Sequence, residues 1–456
     1  MNRALSESQI EYVLEHIGHH ALLSPELKAM FRYGARSETG FPHIFFPLSE
    51  EKLDLKKIIH INDIPVLYPV DRTSGKYFTM EKNRLRFHHD LLKSAFHLLS
   101  GYEEYKTGTA DALGRFPYSA SLQYKLEIVS KPVVNYYFES ILEGLEQFCK
   151  LNKLPFQRTP VFLKPTFMLS HDIDMIDAYH FFETGYKFKM LLGVVDSPYS
   201  RMDTCRVACS SLYHFMNPFS RKNPYWNFDF LMKSESERGF RGTYFFMEKD
   251  GKHDNSRYHF HEKRIRNIID ILVSDGFEVG LHGTIQSSSS QEAMNLTLAN
   301  LQKVSPKHIK GIRQHYLKYS LPQTALIQED AGISYDATLG FAEHEGFRNS
   351  YCWPFRLYDF ENDRTMNLWQ LPLTLMEVSQ FYYRKLDFET IRQSTEILVQ
   401  EVQKFNGVFS MLWHNSFFDE YEFPGITTFY LELLDYIHSQ HMEGITGKEI
   451  AARMPL

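Results

Sequence analysis

Cysteine is scarce: Cys149, Cys205, Cys209 and Cys352 are the four in 456 residues. So thin a supply excludes a disulfide framework and makes reduced thiols the default. Cys205 and Cys209 have helical spacing and are expected to pack in the core, with a metal site shared with His214 as the alternative. Long apolar runs are missing too. No stretch of about 18 apolar residues occurs, which excludes a membrane-spanning helix. Residues 1–12 are polar and lack an apolar h-region, so no signal peptide is visible and a cytoplasmic location is expected. There is no cationic excess either. The balance of 50 Lys and Arg against 56 Asp and Glu gives a net charge of −6, which argues against a nucleic-acid partner.

What is present is aromatic and foldable. The chain is 43% hydrophobic and 23% charged, the profile of a folded protein, and its length implies two domains or three. Aromatics reach 15%, with 37 Phe and 27 Tyr, which suits a large aromatic core and also sugar-stacking surfaces.

Residues 1–158 mix short strands with helices and read as a smaller α/β domain. Ile10, Val13, Leu14 and Ile17 recur on a helix face, with His16, His19 and His20 expected in a solvated last turn. Short strands are expected over 57–70, and helices over 90–105, capped by Asp90, and 132–150, opened by Pro132. No catalytic constellation is visible here. Residues 159–456 form the second expected domain, with a helical insertion at about 180–225 packed on its rim. That insertion is mildly basic and amphipathic, so membrane-surface contact is the alternative.

Downstream, strands are expected over 166–169, 242–247, 277–281, 309–312, 334–335, 371–375 and 408–412, with helices between most of them. Such alternation implies parallel βα units around a barrel or sheet. Polar residues recur where strands end: Asp172 and Asp174, His282, Arg313 and His315, Asp336, and His414. In a βα barrel those ends share one mouth, so the repetition marks a site. Asp172 and Asp174, two apart, point the same way in an extended chain, and buried carboxylates need a partner or a metal. By itself the Asp pair reads equally well as a helix cap.

The order His171-Asp172-Ile173-Asp174, Leu281-His282-Gly283-Thr284-Ile285-Gln286-Ser287, Arg313-Gln314-His315-Tyr316 and Leu412-Trp413-His414 resembles the polysaccharide deacetylase (NodB-homology) family of carbohydrate esterases. The likeness covers about residues 160–430. It implies a distorted parallel (β/α) barrel preceded by an N-terminal accessory domain. It implies a metal-dependent hydrolase that removes N-acetyl or O-acetyl groups from a glycan or glycan precursor, with a divalent metal, Zn2+ being expected. In that family's terms Asp172 is the base, Asp174 and His282 are metal ligands, and His414 is the acid. Arg313 would keep the base ionised, Leu412 would line an acetyl pocket, and Tyr316 and Trp413 would meet the substrate.

Two departures stand out. The family's adjacent carboxylates are separated here by Ile173, and Gln286 occupies the place of a second histidine ligand. Gln286 lies four residues after His282 and could face the site from the same helical turn, yet an amide oxygen is a poor zinc ligand. His315 is the first substitute and His171 the second. Two other readings stay open: a non-catalytic glycan-binding or polysaccharide-assembly protein, and a hydrolase of another non-peptide C–N amide bond.

Overall fold

The computed structural model describes residues 4–34, 42–81, 83–197, 199–217, 223–250 and 256–455. Its centre is a ten-stranded sheet. In chain order the strands are β1 (Thr166–Ile173), β2 (Thr243–Met247), β3 (Glu278–Gly283), β4 (Gly311–Gln314), β5 (Tyr335–Asp336), β6 (Phe355–Asp359), β7 (Arg364–Gln370), β8 (Leu375–Met376), β9 (Val408–Leu412) and β10 (Glu443–Gly444). They lie in the order β6-β7-β5-β4-β3-β2-β1-β9-β8, with β10 beside the start of β1. All pairings are parallel except the β6–β7 hairpin. β1 and β9 are buried throughout, as expected of apolar runs covered on both faces. Helices pack over the sheet through apolar stripes. Helix Lys263–Ser274 buries Ile265, Ile268, Ile269 and Leu272, a helical repeat.

The sheet is curled, and one stretch of chain spans its opening. Leu371 N donates to Asp336 O at 2.8 Å, Leu373 N to Leu339 O at 2.9 Å and Thr374 N to Ser410 O at 3.0 Å. Residues 371–374 therefore bond first to the β5 side and then to the β9 side. The strand expected over 371–375 is split by this crossing. Pro372 has no N–H to give to a ladder, so regular pairing stops at Gln370 and resumes only for Leu375 and Met376.

The first 152 residues hold a four-stranded sheet, in the order Phe31–Tyr33, His43–Phe46, Arg84–Phe87, Phe78–Glu81, and the helix Val133–Asn152. One apolar cluster runs from this region into the large sheet, including Tyr12, Phe96, Tyr358 and Trp369. Polar contacts follow it: Tyr12 Oη donates to Arg356 O at 2.7 Å, and Asn135 Oδ1 accepts from Cys352 N at 3.0 Å. The expected helix over 90–105 is two helices, Leu91–Leu99 and Tyr102–Thr107, because Gly101 between them is left-handed at φ 76°. His16 and His19 are buried, not solvated as expected, since helix Glu7–Gly18 packs on β7. Burial lowers the His16 pKa to about 4.

The insertion after β1 is a pair of packed helices, α1 (Phe181–Leu191) and α2 (Arg201–Met216). Positions 198 and 218–222 of the expected insertion lie outside the described residues. Cys205 and Cys209 are exposed on α2, not in the core, and His214 is buried. No metal-ligand cluster joins them among the described residues.

Close packing at the sheet's glycines is one consequence of the curl. A Cβ at Gly280 would lie 2.5 Å from the Phe245 ring and 3.2 Å from Gly311 O. Gly280→Ala is expected to destabilise the fold by about 1–3 kcal/mol, the usual cost of overpacking. Urea denaturation checks this, and a midpoint equal to the parent's would show that Phe245 gives way freely.

Candidate active site

β1 carries the first group of side chains. Its alternation sends Ser170 and Asp172 to one face and His171 to the other. Arg313, at the same register level as His282 on neighbouring β3, reaches across to Asp172. Arg313 Nη1 donates to Asp172 Oδ1 and to Ser170 Oγ, each at 2.9 Å, and Nε donates to Ala337 O at 2.9 Å. The guanidinium stands 4.7 Å above the centre of the Phe245 ring. Arg313 is 0% exposed and Asp172 2%, so this charge pair is wholly inside the protein.

Three donor groups converge beside it. Nδ1 of His282 lies 2.9 Å from the carbonyl oxygen of Arg313. A carbonyl can only accept, so Nδ1 carries a proton, and the neutral ring keeps its lone pair on Nε2. That Nε2 is 3.1 Å from Asp174 Oδ1 and 3.2 Å from His315 Nδ1. His315 Nδ1 is 3.6 Å from the same carboxylate oxygen. The ligand atoms of Asp174, His282 and His315 all lie within 4.8 Å of one another. Asp174 Oδ1 is buried without a well-directed hydrogen bond. One carboxylate oxygen and two imidazole nitrogens aimed at a common point make a donor set that suits a borderline divalent cation. Burial opposes charge on Asp174, but His315 and His282 outweigh it and hold the carboxyl below the usual range. Burial likewise opposes a proton on His282, and Asp172 and Asp174 overcome it and raise its pKa.

His414 follows β9 and sits across Asp174, with Nε2 3.7 Å from Asp174 Oδ2. Its Nδ1 donates to Glu377 Oε1 at 2.5 Å, and its backbone N donates to the same oxygen at 2.8 Å. Burial works against the imidazolium, yet Glu377, then Asp174 and Asp172, push its pKa up to about 10.

These groups line a cavity of about 250 Å³. Its floor holds Asp172, Asp174, His282, His315 and His414. Leu317, Ala342 and Met376 form an apolar side, and Leu412 packs in the same cluster behind them. Six tyrosines, Tyr186, Tyr199, Tyr225, Tyr316, Tyr382 and Tyr383, make the walls with Phe417 and Phe423. The α1 helix contributes Tyr186 and a Lys187–Glu422 ion pair, so the insertion is a wall of the cavity. Arg115 reaches it from the N-terminal region.

Several expected positions are placed differently from the sequence reading. Gln286 is exposed in a turn after β3 and does not line the cavity, because residues 285–289 form turns and not a helix. His171 points away: Nδ1 lies 2.6 Å from Trp413 O and Nε2 3.1 Å from Glu235 Oε1. Trp413 is buried among Phe418, Phe429 and Tyr430, with no face on the cavity. Asp336 is tied to Thr338 and Gln328 behind the site. No local sequence pattern marks Glu377 or Arg115 as a site residue. The only signal for Glu377 was a carboxylate directly after the apolar Leu375–Met376 strand.

A family of unknown function (DUF7033) matches residues 4–150. No curated protein matches the chain. Among solved structures, a Mycobacterium smegmatis protein assigned as a polysaccharide deacetylase is 14% identical with a TM-score of 0.41, covering 64% of this chain and 90% of its own. A CE4 family pseudoenzyme from Bacillus anthracis is 9% identical with a TM-score of 0.32, covering 63% and 66%. A variant of a peptidoglycan deacetylase from Bacillus subtilis is 11% identical with a TM-score of 0.30, covering 64% and 92%. At these scores the chemistry of the site rests on its own geometry.

The His414–Glu377 pair yields a direct expectation. Removing the carboxylate charge in Glu377→Gln lowers the pH at which the His414 ring titrates by at least about one unit, since the nearest anion is gone. Imidazole proton NMR follows it, and an unchanged midpoint would mean that the aspartates alone hold the proton.

Proposed function

We propose that the protein is a metal-dependent hydrolase that removes acyl groups, N-acetyl above all, from a glycan or glycan precursor. One observation carries this reading: a carboxylate held by an arginine and an imidazole held by a glutamate flank a convergent Asp174–His282–His315 donor set on the floor of one cavity. Those three residues would hold the metal, with Zn2+ preferred for two imidazoles and one carboxylate. When bound, such an ion polarises the acyl carbonyl and acidifies a water.

The rest of the work falls to the chain. Asp172, held in place by Arg313, takes the proton of the attacking water as the water oxygen bonds to the acyl carbon. His414, kept cationic by Glu377, gives its Nε2 proton to the departing nitrogen as the C–N bond breaks. The products are the free amine and acetate. Leu317, Ala342 and Met376, backed by Leu412, would take the acyl methyl group. The tyrosine walls suit a sugar, offering ring faces to C–H surfaces and hydroxyls to hydroxyls. An amide of another kind would use the same machinery, and its product tells the two apart.

Acetate release from N-acetylated oligosaccharides, lost with a chelator and restored by zinc, is the expected result. Ammonia without acetate would favour the other amide reading, and neither product would favour a binding protein. His414→Ala is expected to lower turnover by roughly 10²–10⁴ while zinc affinity is kept; full turnover in that variant would remove His414 from the mechanism. In zinc titrations His315→Ala should bind far more weakly than the parent, and Gln286→His should match it. The reverse pattern would restore position 286 as the ligand.

A further inference from the structure

The third donor, His315, sits on an unusual piece of backbone. The two residues after it, Tyr316 at φ 58° and Leu317 at φ 53°, are both left-handed, and neither is glycine. Left-handed backbone in bulky residues persists only where the surroundings impose it. Leu317 is imposed from inside, packed with Ala342, Met376 and Leu412. The turn itself is closed by Lys318 N donating to His315 O at 3.1 Å. The carbonyl between these two points, Tyr316 O, accepts from Arg115 Nη1 at 3.0 Å.

Arg115 comes from 201 residues earlier in the chain, inside the region matched by the family of unknown function. It is itself held firmly. Asp111 Oδ1 accepts from the backbone N of Arg115 and of Leu113, each at 2.9 Å, and Asp111 Oδ2 accepts from Arg115 Nε at 2.7 Å. Arg115 Nη2 donates to Tyr383 Oη, another residue lining the cavity, at 3.4 Å. The residue is 8% exposed. A planar guanidinium with fixed donors can hold a carbonyl in place more rigidly than a flexible ammonium can.

We propose that Arg115 is a positioning residue for the metal centre: the N-terminal region, through the Asp111–Arg115 clamp, holds the left-handed Tyr316–Leu317 turn and so aims the His315 imidazole at Asp174 and His282. This rests on the reading of those three residues as metal ligands. It gives the N-terminal region a part in the site, where the sequence alone shows no catalytic residues in it. Without the clamp the turn relaxes toward ordinary backbone, and the ring at its start moves with it.

The test uses the full chain with two independent readouts. Amide exchange of the metal-free protein, followed by mass spectrometry, reports the turn at residues 314–319 against β1 as the control. Zinc affinity is measured by competition with a chromophoric chelator. Arg115→Ala is expected to speed exchange at 314–319 at least about tenfold with β1 unchanged, and to weaken zinc about 10–100-fold, the usual loss for a supporting contact. Arg115→Lys, which keeps a donor without the fork, should fall between. Exchange at 314–319 that matches the parent overturns the clamp. Faster exchange everywhere, β1 included, also overturns it, since Arg115 would then serve global stability. Faster turn exchange with unchanged zinc affinity overturns the link from turn to ligand. A parent that binds no zinc defeats the metal reading, and the exchange result then decides the clamp alone.

Discussion

The buried pair of Asp172 and Arg313 is the contact on which the site depends. A guanidinium with no exposure is costly to bury, and here the cost is offset by a carboxylate, a hydroxyl, a carbonyl and an aromatic face. Those partners come from β1, from the segment after β5, and from β2. Removing one side of such a pair typically costs about 3–5 kcal/mol, because the other charge is left buried alone. The pair therefore does two things at once. It ties β4 to β1 across the two strands between them, and it fixes the Asp172 carboxylate beside the cavity.

Around that centre the protein builds outward in layers. His282 is oriented from behind by the carbonyl of Arg313, so the same residue that holds Asp172 also fixes the tautomer of a neighbouring donor. His414 is held by Glu377 from the stretch that closes the sheet. The curl of the sheet is what brings β8 and β9 round to face β3 and β4. Where the strand ends leave the cavity open, α1 and the Arg115 loop supply walls.

Much of this was legible in sequence because it follows short-range rules. Apolar runs of 4–8 residues ending in Asp, His or Arg located the strand ends, and the parallel βα arrangement then sent them to one mouth. Period-two alternation separated Asp172 from His171. Two expectations failed where a local rule was carried too far. Helical spacing would bring position 286 back beside His282, but the chain there turns instead. The apolar content of 371–375 predicts one strand, and Pro372 breaks the ladder.

The sequence by itself determined which residue types stand at the strand ends and in what order. The sequence offered His315 ahead of His171 beside the open question of Gln286, and tertiary structure brings His315 to Asp174 and His282 while Gln286 is exposed and His171 points away. Tertiary structure also decided that Glu377 stands behind His414 and that Arg115 belongs to the cavity. The physical reason is range. Strand periodicity spans a few residues and is written in neighbouring letters. The left-handed turn after His315 packs against distant side chains and accepts a hydrogen bond from a residue 201 positions away, which no local pattern records.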